Sequence, residues 1–114
     1  MISPDLEGRP RWVPHVDMVA KNGDELIIKV DLASLKRENL DLIVEGNHLT
    51  IAGHRPSDEP VHDCEHFVTE IPFGRFERTI EIPAAFDLSA ASANYTNGML
   101  RVCVPRRKPE PPRW

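Results

Sequence analysis

The chain has 114 residues, 40% hydrophobic and 28% charged, with a formal net charge of −4. That length suits one domain around a single core, and the balance of residues is that of an ordinary soluble protein. The longest apolar runs, such as Leu26-Ile27-Ile28, are far too short to span a bilayer, and Met1–Pro10 lacks the basic flank and apolar stretch of a secretory signal. The expected setting is therefore the cytoplasm. Cys64 and Cys103 are expected as reduced thiols, because their spacing matches no disulfide framework, zinc motif or redox motif. The one basic cluster, Arg106-Arg107-Lys108, runs into Pro109-Glu110-Pro111-Pro112. Without interleaved aromatics it reads as a solvated tail and gives no reason to expect nucleic acid.

Eleven prolines disfavour long helices, and they bracket the periodic stretches rather than interrupt them. In chain order, Val16–Ala20 and Glu25–Leu32 are predicted to form a hairpin about Asn22-Gly23, with Leu26, Ile28, Val30 and Leu32 on one face. Ser34–Asn39 is the one helical piece, with Ser34 placed to cap it. Leu40–Glu45, with Leu40, Leu42 and Val44 on one face, turns at Gly46-Asn47 into His48–Ala52. Arg55–Asp63 is a loop, followed by a short mixed strand, Glu65–Glu70, before Pro72-Phe73-Gly74. Phe76–Ile82 alternates, Ser92–Thr96 is a short polar strand, and Asn97-Gly98 turns the chain into Met99–Val104, where Leu100, Val102 and Val104 face together. This pattern predicts an all-β chain folded as an immunoglobulin-like β-sandwich of about seven to nine strands, without internal repeats.

Catalytic chemistry finds little footing. His62, Cys64 and His66 alternate and would share one side of a strand, but consecutive same-side residues close a zinc tetrahedron poorly, and a polar strand face explains them better. Ser92, His66 and Asp63 make a hydrolase triad only by free choice, and neither a nucleophile elbow nor a glycine-rich phosphate loop is present. No enzyme, metal or cofactor is expected. Arg78 is more informative, because the alternation places it on the same face as Phe76, Ile80 and Ile82. A guanidinium aimed at an apolar side must find carboxylates or a subunit boundary, or send its head to water.

Four segments resemble the small heat-shock proteins with their α-crystallin domain. Val16-Asp17-Met18 through Leu26–Leu32 looks like the family's opening hairpin, and Leu49-Thr50-Ile51-Ala52-Gly53-His54-Arg55 is similar to its L-x-I-x-G-x-R segment. Gly74-Arg75-Phe76-Glu77-Arg78-Thr79-Ile80-Glu81-Ile82-Pro83 resembles G-x-F-x-R-x-I-x-L-P, and Ala93 to Leu100 resembles A-x-x-x-N-G-V-L. The resemblance implies an arm over residues 1–11, an α-crystallin domain over 12–106 and a proline-rich tail over 107–114. It departs from the family at Ala33-Ser34, where Pro-Gly is usual, in a shortened arm, and in a tail without an isolated I-x-I. Val102-Cys103-Val104 fits that tail pattern only formally, within the last strand. Assembly is accordingly expected to stop at a dimer or small oligomer.

By the same resemblance the chain is expected to be an ATP-independent holdase that binds partly unfolded proteins and keeps them from aggregating. The alternative is a CS-domain-like adaptor docking on one specific partner, which would lack the exchanged strand and the Ala-x-x-x-Asn-Gly-x-Leu segment. A client- or tail-binding groove is implied between Leu40–Glu45 and Leu88–Thr96, lined by Leu42, Val44, Leu88 and Ala90. Bacterial and plant-like members form dimers by exchanging a strand carried on a long loop, a length matched by Pro56–Arg75. Here that implies Glu65, His66, Phe67, Val68, Thr69 and Glu70 pairing with the neighbour's first strand at Val16 and Met18, with Arg78 near the contact.

Overall fold

The computed structural model describes residues 10–57, 59 and 62–109. Most of the expected arm, the middle of the hinge at 58, 60 and 61, and the tail beyond 109 lie outside them. Seven strands form among the described residues: β1 (Val16–Lys21), β2 (Glu25–Asp31), β3 (Leu40–Glu45), β4 (His48–Arg55), β5 (Gly74–Glu81), β6 (Ser92–Thr96) and β7 (Met99–Pro105). They make two antiparallel sheets, one in the order β1-β2-β7-β6 and the other β3-β4-β5. The fold is the predicted β-sandwich. Its core lies between the sheets, where Ile28, Val30, Leu100 and Val104 from one meet Ile51, Phe76 and Ile80 from the other. The period-2 alternation drives this, since each strand has one face to bury and one to leave in water.

Two glycines permit close approaches that a side chain would block. Gly53 sits mid-strand in β4, where a methyl group would collide with the Asn39 carbonyl oxygen and the Phe76 ring. Gly98 completes the two-residue turn between Thr96 and Met99, with Asn97 at φ 54° and Gly98 at φ 78°. Both angles suit the tight hairpin, and the missing side chain also lets the turn rest on the Ala33 backbone, where Leu32 N–H donates to Gly98 O at 2.8 Å.

Two expectations need correction. Ser34–Asn39 is not a capped helical piece: only Arg37–Asn39 forms a 3-10 turn (η1), preceded by extended Lys36, while Ser34 is left-handed at φ 67° and caps nothing. Glu65–Glu70, expected to pair with a neighbour's edge, forms no strand within its own chain. The basic cluster is not simply solvated. Arg106 N–H donates to Asp24 O at 2.9 Å, and its side chain bonds Gly23 O and lies 4.9 Å from the Phe86 ring centre. Arg107 donates to Ala85 O through its backbone and to Ala84 O through Nε, each at 2.8 Å.

Candidate functional site: sheet edges and an apolar groove

The sandwich has two open sides. On one, the edge strands β3 and β6 stand apart and leave a groove of about 280 Å³ between the sheets, lined by Leu42, Val44, Leu49, Leu88, Ala91 and Val102, among others. Leu42 and Val44 remain 38% and 51% exposed, so an occupant would remove apolar surface from water. Ala90 does not line the groove; Ala91 does. A second 3-10 turn, η2 (Leu88–Ala90), supplies the reason, since residues three apart eclipse in such a turn and Leu88 shares its side with Ala91. Asp87 fixes this turn by accepting from Ser89 N–H at 3.1 Å and from the Ser89 hydroxyl at 2.6 Å. The Ser89 hydroxyl holds the Asp87 carboxyl below the usual carboxylate range, and Arg107, 4.0 Å away, adds to that.

The opposite side is partly closed by the segment before β1. Arg11 N–H donates to Arg75 O at 2.7 Å, Trp12 Nε1–H donates to Gly74 O at 3.1 Å, and the Trp12 and Phe76 rings lie 4.8 Å apart. Arg78 faces this segment from β5. It is half-buried, and its Nη1 donates to Pro14 O at 3.1 Å, so among the described residues its partner is a main-chain carbonyl and not a carboxylate. Beyond, β1 is the outer strand of its sheet, with Val16 half-buried and Met18 exposed.

Between β4 and β5 the chain presents an apolar, largely uncovered segment: Phe67 is 85%, Val68 75% and Ile71 67% exposed. Glu65, His66, Thr69 and Glu70 are exposed as well. Within one chain, then, the segment and the β1 edge are both present and are not joined to each other. His62, Cys64 and His66 form no metal-holding group among the described residues. The thiols of Cys64 and Cys103 are free.

Sequence reasoning missed the role of Arg55. The alternation Leu49, Ile51, Gly53, Arg55 runs along one face of β4 and carries the signal, because it turns a cation toward the core side. Arg55 is only 8% exposed. Its Nε and Nη2 donate to Pro72 O at 3.0 and 2.8 Å, its Nη1 donates to Ala33 O at 2.9 Å, and its guanidinium lies 4.2 Å from the Trp12 ring centre.

A profile described as the Hsp20/alpha crystallin family matches residues 18–113. The chain belongs to that family. Its α-crystallin domain is 28% identical to Small heat shock protein C4 of Rickettsia felis, over 83% of this chain and 58% of that protein. Heat shock protein 16.0 from Schizosaccharomyces pombe superposes with a TM-score of 0.77 at 30% identity, over 94% of this chain and 77% of that one. A small heat-shock protein from Xylella fastidiosa superposes at 0.79 over 91% and 94% of the two chains, and at 23% identity it speaks for the fold alone. The chain spans about three fifths of the length of curated relatives it matches, 58% and 61% for two of them. No helix among the described residues is long and apolar enough to cross a membrane.

Proposed function

We propose that this α-crystallin domain is an ATP-independent holdase, binding partly unfolded proteins through its groove and sheet edges and keeping them from aggregating. The observation that carries the reading is a pair of features in one chain: an apolar groove between edge strands, and an exposed apolar segment together with β1 as an outer strand. Unpaired strand edges and uncovered apolar surface are what an aggregating client also offers, so each can complete the other. Binding is the whole of the action; no catalytic step or cofactor is required of the side chains described. The two unbridged thiols suit a reducing, cytoplasmic setting.

The unit of action in this reading is a homodimer. Glu65–Glu70 of each subunit pairs with the other's β1 at Val16 and Met18, which satisfies backbone groups in both chains about a two-fold axis. Arg78, beside the Trp12–Pro14 segment, lies near that contact. The groove over Leu42, Val44, Leu88 and Ala91 receives an extended segment with apolar residues at alternate positions, from a client or a neighbouring subunit. We assign 12–106 to the α-crystallin domain, 1–11 to an arm and 107–114 to a tail.

Light scattering of a heat-labile protein, heated with and without this chain, tests the reading. Scattering is expected to fall in proportion to added chaperone and to be unchanged by ATP and magnesium. Protection that appears only with nucleotide, or none at molar excess, would overturn it.

A further inference from the structure

The geometry points to Arg55 as the clasp that sets where the exchanged segment leaves the sandwich, an inference resting on the strand-exchange reading. Arg55 is the last residue of β4, and the β4–β5 ladder ends at the Arg55–Gly74 pair. The backbone ladder therefore holds the loop only at its base. Past that pair, the Arg55 fork closes on Pro72 O with two N–H groups, at 3.0 and 2.8 Å, two residues into the loop. The guanidinium also lies 4.2 Å from the Trp12 ring centre and 5.9 Å from that of Phe73. One side chain thus extends the grip from the ladder into the loop and ties the loop root to Trp12 and, through Ala33 O, to the connection after β2.

This grip is specific to a guanidinium. A planar group can converge two N–H bonds on one oxygen and send a third elsewhere while stacking on a ring; a lysine ammonium has neither the fork nor the flat face. Among the described residues, main-chain carbonyls and ring faces, and no carboxylate, meet the Arg55 guanidinium. The position of the clasp matters as much as its strength. A cavity of about 660 Å³ is lined by Arg55, Ile71 and Phe73 together with Val13 and His15, so the neck of the loop opens beside the start of β1. Arg55 is a positioning residue: it orders the loop root before association, which leaves less entropy to lose when Glu65–Glu70 docks on the partner.

The test uses the full chain and sedimentation equilibrium over a dilution series, with hydrogen exchange at residues 71–75 and thermal unfolding measured alongside. Arg55→Lys is expected to weaken the dimer on the order of tenfold, the scale of one or two additional groups to be ordered on binding, and to speed exchange at 71–75. Ile82→Val, a core change of comparable thermal cost, is expected to leave the dimer constant unchanged. Should Arg55→Lys fail to fold, Phe73→Ala loosens the loop side of the clasp without unpairing the guanidinium, and the same shift is expected. An Arg55→Lys chain that melts earlier yet dimerises like the parent, or a Phe73→Ala chain with unchanged exchange and dimer constant, would reduce Arg55 to a stabilising residue and overturn the proposal. If Phe67→Asp left the parent dimer untouched, strand exchange itself would fail, a result separable from both.

Discussion

At Ser34 a residue with a side chain holds φ 67°, in the left-handed region that favours glycine. A Cβ there costs on the order of 1–2 kcal/mol, and glycine returns part of the gain through the greater freedom of its unfolded chain. Ser34→Gly is therefore expected to raise stability by about 0.5–1 kcal/mol in urea unfolding at an unchanged m-value; a loss would mean that the serine hydroxyl contributes where no bond is recorded. The same connection is held by Tyr95, whose hydroxyl donates to Leu35 O at 2.5 Å and lies 3.0 Å from Leu32 O. Burial raises the Tyr95 pKa, with Arg55 pulling weakly the other way. Because the folded state prefers the protonated phenol, its contribution is full below the ordinary tyrosine value and is lost as pH climbs through and past it. Tyr95→Phe is expected to lose about 1 kcal/mol near neutral pH, and to melt with a shallower decline than the parent between about pH 9 and 11. Parallel melting curves for the two proteins over that range would refute the assignment.

Among the elements, β3 and η2 show what alternation can and cannot give. Period-2 spacing put Leu42 and Val44 on one side of a strand, and the groove takes both. It could not choose between Ala90 and Ala91, because a single 3-10 turn has no repeat to read and its facing is set by the Asp87–Ser89 bonds. The Glu65–Glu70 segment was legible as a short mixed strand, but strand structure needs a partner edge, and that is not encoded in the segment itself. Arg78 shows the reverse: its face was readable, while the Pro14 carbonyl that receives it lies sixty-four positions away and left no local trace. Val44→Asp tests the groove as an element. The residue is half in water, so the fold is expected to survive with a thermal midpoint near the parent's, while protection of a heat-labile client falls several-fold for want of apolar surface to bury. Undiminished protection would move client binding away from β3 and η2.

For the molecule as a whole, the ladders and the core are complete without the loop between β4 and β5. Replacing Asp58–Glu70 by a short glycine linker is accordingly expected to give a folded monomer with the parent's circular dichroism and a sedimentation coefficient independent of concentration. A deletion variant still dimeric, with the parent's dissociation constant, would move the interface to β5 and Arg78. The order β1-β2-β7-β6 has a further consequence, for the time before the fold exists. β2 and β7 are the two inner strands of their sheet, yet they are drawn from opposite ends of the chain, Glu25–Asp31 against Met99–Pro105. The β1–β2 hairpin and the β3-β4-β5 ladder can form from sequence neighbours, but that inner pairing cannot begin until β7 has left the ribosome. Through most of its own synthesis the nascent chain must therefore carry β2 with one edge unpaired, and at that stage it is itself an aggregation hazard in the crowded space where it is made.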